Sequence, residues 1–183
     1  VVVATYQAVA GAGLAATGEL AAQSLAVLEG RLFRPSALPH RIAFNLIPRI
    51  DVFDDEGWTG EERKVMNETR KILGDRSIQV VATAVRVPVF RGHSEAVWAE
   101  FAEEVDVARA RRILRQAPGV TLVDDPDHDL YPMPADCVAK ADTFVGRLRR
   151  DPDSARALVM WIVSDNVWKG AALNAVQIAE ELI

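Results

Sequence analysis

Two residues of chemical interest flank a bend in the stretch "RVPVFRGHSE": the guanidinium of Arg86 and the imidazole of His93. A guanidinium grips a carboxylate through two parallel hydrogen bonds, and an imidazole moves protons near neutral pH. Together they suit binding and proton transfer on one small substrate. Fully extended, the intervening chain spans roughly 23–25 Å, far more than an amino acid. The pair can serve one small ligand only if the backbone turns, and Pro88 and Gly92 supply the turn chemistry. Read blandly, Arg86 is a cation snorkelling from a strand end and His93 a surface or capping residue.

Further charge lies in "TGEERKVMNETRK". Glu61 and Lys64 are three residues apart and share a helical face with Glu68 and Lys71. Pattern alone reads this as a solvated, salt-bridged face. Gln7 closes "VVVATYQ" just ahead of an "AGAG" turn, whose backbone N–H groups can hold an anion or a cofactor. A bare G-x-G is common by chance. "DDPDHDLYPMP" sets His128 among four aspartates, but the spacing fits no ligand template, so the reading is a solvated loop with no metal. Cys137, in "PADCVAK", has no cationic cluster immediately beside it and reads as a passive thiol.

The elements that must position these groups follow from periodicity and punctuation. "VVVATYQ" is a short β-branched run typical of a buried strand, followed by a glycine turn and a helix over roughly residues 12–29. "RLFRPSALPH" reads as a loop and "RIAFNLI" as a strand ended by Pro48. Thr59 and Glu62 form a capping box that starts a helix running from about Gly60 to Leu73. "SIQVVATAVRV", "AVWAEFAEEV", "VTLVDD", "DTFVGRLRR" and "ALVMWIVS" read as strands. An amphipathic helix, "DVARARRILRQ", stops at Pro118 and Gly119; residues 124–142 form a loop, and a last helix starts near Gly170. Strands that mostly follow one another without a helix between predict an α+β domain, with helices on one face of a large mixed sheet. A dimer partner is the natural cover for the other face.

At 183 residues and 50% hydrophobic content, the chain suffices for one good-sized core. A net charge of −5 and a pI near 5.3, with no basic run, argue against a nucleic-acid partner. One cysteine rules out an internal disulfide framework and fits a reducing, cytoplasmic compartment. The apolar beginning lacks a basic flank and is interrupted by Glu19, so neither a signal peptide nor a membrane span is expected. With no initiator methionine, the chain is expected to be a segment of a longer protein, cut just before a strand.

With these residues in view, the sequence resembles the catalytic and dimerisation domain of the aspartate-semialdehyde dehydrogenase family, nearly end to end. "TYQAVAGAG", "RIAFNLIP", "EERKVMNETRKILGD", "RVPVFRGHSE", "YPMPADCVAKADTFVGRLRRD" and "VSDNVWKGAALNAVQIAEELI" occur in the family's order. The resemblance implies a sheet like the C-terminal domain of glyceraldehyde-3-phosphate dehydrogenase, with residues 1–183 as a single substrate-binding and dimerisation domain. It implies His93 as general acid/base, Arg86 on the substrate carboxylate, Glu61 on its ammonium, Lys64 on phosphate and Gln7 orienting substrate beside the nucleophile. Ala10, Gly11 and Asn166 fall where the family touches NADP. The implied reaction converts L-aspartyl 4-phosphate to L-aspartate 4-semialdehyde and phosphate in lysine, threonine and methionine biosynthesis, through a cysteine thioester, in a homodimer or dimer of dimers. The family's nucleophilic cysteine and its Gly-rich nucleotide-binding domain lie upstream of the strand that opens this chain, and Cys137 does not match that cysteine. The expected consequence is that this piece is inactive by itself. Two rivals stand beside this reading: a non-catalytic paralogue kept as a dimerisation module, and an N-acetylglutamyl-phosphate reductase, which Glu61 disfavours because an acetylated amine offers no ammonium.

Overall fold

The computed structural model describes residues 1–182. β1 (Val2–Gln7) passes through a 3-10 turn (Val9–Ala12) into α1 (Leu14–Leu28). There follow α2 (Gly60–Ile72), β2 (Val81–Arg86), β3 (His93–Glu100), α3 (Val107–Gln116) and β4 (Val120–Leu122). A short α4 (Pro134–Cys137) precedes β5 (Thr143–Asp151) and β6 (Ser154–Ser164); a π-helical turn (Trp168–Ala172) then opens α5 (Leu173–Glu180). The strands form one six-stranded sheet in the order β2-β1-β3-β6-β5-β4. β1 and β2 are parallel, as are β4 and β5, while the other three pairings are antiparallel. This is the expected α+β arrangement with a mixed, mostly antiparallel sheet.

Register fixes which side chains share a face, because strand side chains alternate. Ala82, Val3, Val97 and Met160 lie opposite one another across four strands. On this face α2 packs Met66 against Val80 and Ala82, and α3 flanks Leu158 and Met160. The capping box forms as its sequence dictates: Glu62 N donates to Thr59 Oγ1 at 3.3 Å and Thr59 N to Glu62 Oε2 at 2.8 Å. The other Glu62 oxygen accepts the N–H of Ala84 at 3.0 Å, so the start of α2 is tied directly to β2. The opposite face is partly covered by the 124–142 segment, where Trp161 Nε1 donates to Pro132 O. Val2, Tyr6 and Val81 on that face stay half exposed.

Two expected strands come out differently. Residues 41–47 make no strand; only Ile47 bridges to Arg86. The N–H groups of Ile42 and Ala43 instead donate to Gln23 Oε1 of α1, at 2.8 and 3.1 Å. Gln23 is bonded in turn to Glu19, whose carboxylate accepts from Ser36 N, Ser36 Oγ and Ala37 N. Ile42, Ala43 and Ile47 still bury their side chains against Val9, Ala16 and Leu20. The hydrophobic pattern therefore belongs to a loop packed on a helix. β3 also begins three residues earlier than its alternation suggested, at His93, and ends at Glu100.

Candidate active site

The sheet order solves the separation of Arg86 and His93. β1 lies between β2 and β3, so Gln7 has Arg86 beside it in the register on one side, while Tyr6 pairs with Ser94 on the other. Residues 87–92 cross over the end of β1, held by Val87 N to Gln7 O, Val9 N to Val89 O and Ala10 N to Phe90 O, at 2.9–3.1 Å. Arg86 and His93 thus stand two strand spacings apart, about 10 Å between backbones, instead of at the ends of an extended segment.

The backbone of one residue then draws their side chains together. Ala8 O accepts from Arg86 Nη1 at 2.8 Å, and Ala8 N donates to His93 Nδ1 at 3.1 Å. A backbone N–H can only donate, so Nδ1 is unprotonated and the neutral ring carries its proton on Nε2. Burial, and then the positive charge of Arg86, hold the His93 pKa down at about 4. Gly11 is where the two groups converge. A Cβ there would lie 2.9 Å from Arg86 Nη1 and 3.3 Å from His93 Nε2, so only glycine leaves both their place.

The α2 face closes the site. Gln7 Nε2 donates to Glu61 Oε1 at 2.9 Å, and Lys64 Nζ meets Glu61 Oε2 at 3.2 Å. The salt bridge read from spacing is present, but it faces a cavity. Gln7, Glu61, Lys64, Arg86 and His93 all line one recess of about 420 Å³, with Gly11 and Asn166 at its edge. Ala10 is on the same turn as Gly11 but does not line the recess. Asn166 Oδ1 accepts from Gly92 N at 2.9 Å, which steadies the residue before His93. Arg86 is only 6% exposed. Burial lowers its pKa, Glu61 partly opposing, and it makes no ion pair within 4 Å among the described residues. A buried guanidinium held by one carbonyl is set to receive an anion.

The remaining candidates lie elsewhere. Cys137 is buried against Phe144 and Val163, and burial pushes its thiol pKa up. His128 pairs with Asp125 at 2.9 Å on an exposed turn. Sequence reading missed Glu95, Ser164 and Glu68 as cavity residues. Glu95 had a legible signal: it follows His93 by two, the spacing of one strand face. It went unseen because the strand was started at Ala96.

A mixed α+β sheet with these groups gathered around the ends of β1, β2 and β3 matches the fold of solved dehydrogenases. The chain belongs to the family described as "Semialdehyde dehydrogenase, dimerisation domain", matched over residues 1–169. It is 50% identical over 190 residues to the aspartate-semialdehyde dehydrogenase of Bacillus subtilis, covering 100% of this chain and 55% of that protein. The Aquifex aeolicus aspartate-semialdehyde dehydrogenase is 50% identical over 184 residues, covering 100% and 54%. Among solved structures, Vibrio cholerae aspartate semialdehyde dehydrogenase II, complexed with ASA, superposes with a TM-score of 0.94 at 45% identity, covering 98% of this chain and 53% of that one. The chain spans about half the length of the relatives it matches. No described helix is long and apolar enough to cross a membrane.

Proposed function

We propose that this chain is the substrate-binding and dimerisation part of an NADP-dependent aspartate-semialdehyde dehydrogenase, which reductively dephosphorylates L-aspartyl 4-phosphate to L-aspartate 4-semialdehyde. One observation carries the reading: Gln7, Glu61, Lys64, Arg86 and His93 line a single recess. That substrate has three charged handles and the recess has three complements. Arg86 takes the α-carboxylate through its planar fork, Glu61 the α-ammonium, and Lys64 the phosphate as a point charge. Gln7, bonded to Glu61, orients the reacting end. A paralogue kept for dimerisation alone has no need of this convergence, and an acetylated amine leaves Glu61 without an ammonium to meet.

The nucleophile is assigned to a cysteine of the longer protein, because Cys137 is buried away from the recess. The neutral His93 ring offers Nε2–H to the oxygen that gains charge as a thiolate adds to the acyl carbon. Taking the thiol proton at Nε2 requires the other tautomer, so the ring must first give up its contact with Ala8 N. NADP(H), when bound, supplies the hydride. Gly11 keeps Arg86 and His93 in place, and Asn166, whose Nδ2 has no hydrogen-bond partner among the described residues, leaves a donor for its reacting end in the same recess. Ala10 would touch it from the same turn. The half-exposed sheet face bearing Val2, Tyr6 and Val81 supports a homodimer, alone or paired into a tetramer.

The test is turnover by the full-length protein: phosphate-dependent reduction of NADP by L-aspartate 4-semialdehyde. His93→Asn should lower kcat by about 10²–10⁴ with unchanged thermal unfolding. Absence of turnover in the unmodified protein, or a variant that unfolds instead of slowing, overturns the reading. Turnover by residues 1–183 alone would show that no outside cysteine is needed.

A further inference from the structure

The recess holds one acid that the reading above leaves idle. Glu95 follows His93 by two residues on β3, so strand alternation puts both side chains on the same face. In the sheet it lies opposite Thr5 and Ile162, each two residues in from the recess-lining Gln7 and Ser164. It lines the recess itself. Glu61 is held by Gln7 and Lys64, whereas the Glu95 carboxyl has no hydrogen bond or ion pair among the described residues. Burial raises its pKa, and the charge of Glu61 raises it further. The other charged or titratable groups lining the recess are Glu61, Lys64 and Glu68 of α2, Arg86 of β2 and His93 of β3. Both cations are matched to anionic ends of the proposed substrate, so neither serves Glu95.

Two neighbouring acids favour a cation between them. We infer that Glu95 is a second substrate-contacting acid, closing with Glu61 on the α-ammonium group and selecting amino-bearing substrates over their deaminated counterparts. The inference rests on the proposed function. As the ammonium enters the recess, the Glu95 carboxylate pairs with it from the β3 side while Glu61 meets it from α2.

Glutamine copies the shape of the acid but cannot ionise, so Glu95→Gln in the full-length enzyme removes the charge at nearly constant volume. The variant is expected to raise KM for L-aspartate 4-semialdehyde about tenfold, the scale of one charge-assisted hydrogen bond. Its kcat, and the inhibition constant of succinate semialdehyde (the same molecule without its amino group), should stay within about twofold. Glu61→Gln should shift the same KM in the same direction. An unchanged KM, or an equal shift for both molecules, overturns the role of Glu95 while the enzyme remains what it is proposed to be. If the unmodified enzyme turns over no L-aspartate 4-semialdehyde, the parent reading falls, and this one with it.

Discussion

Arg86 and Asp165 are both buried charges, 6% and 0% exposed, and the protein treats them in opposite ways. Asp165 is answered on every side. Arg91 meets it through two contacts, Nε at 2.9 Å and Nη2 at 2.7 Å, and the N–H groups of Ala139, Val167 and Trp168 donate to it at 2.6–3.0 Å. Burial alone would raise its pKa, yet Arg91 and those N–H groups hold the carboxyl below the usual range. Arg86 receives one carbonyl and no carboxylate. Asp165 staples three segments together, the turn before His93, the stretch after α4 and the end of β6, and it is finished within the fold. Arg86 is left with unused hydrogen-bond donors lining a recess. A buried charge is therefore informative about function when its partners are missing, and about architecture when they are complete.

That contrast can be broken by experiment. In the full-length protein, Asp165→Ala strands Arg91 and orphans three N–H groups, and should cost about 3–5 kcal/mol of stability by denaturant unfolding. A loss below about 1 kcal/mol would show the staple to be decorative. Next comes pH. The folded pKa of His93, about 4, lies below its ordinary 6.5. Between these values the unfolded chain binds a proton that the folded chain refuses. Relative to neutral pH the folded state therefore loses stability as pH falls from 6.5 toward 4, by up to about 3 kcal/mol. The unfolding free energy of His93→Asn, subtracted from that of the parent across this window, should show that slope; a flat difference would mean that neither burial nor Arg86 holds the ring's pKa down. The smallest effect is Arg86→Lys, which keeps the charge and loses the fork. KM should rise about 10–100-fold with stability nearly unchanged, and unaltered kinetics would reduce Arg86 to a second structural charge.

How much could be read beforehand depended on whether the cause was local. The capping box at Thr59 and Glu62 is written within four residues, so α2 was legible almost to its ends. β1, β2, β5 and β6 carry β-branched runs that no helix accommodates as well. "RIAFNLI" misled because burial and strand pairing leave similar patterns; what satisfies its N–H groups is Gln23, nearly twenty residues away. The site was legible as a set of residue types but not as a geometry. Nothing local in residues 86–93 reveals that β1 runs between the two ends of the bend. Glu95 was hidden by a boundary error of three residues, which left it outside the strand whose alternation would have set it beside His93.

The backbone of Ala8 holds Arg86 by its oxygen and His93 by its nitrogen, and neither contact uses the alanine methyl. Any small residue that fits the sealed space at position 8 would inherit both grips intact. Adding or deleting a single residue between Gln7 and Gly11 would release the two at once. Descent can thus vary the side chain at position 8 far more freely than the length of this turn.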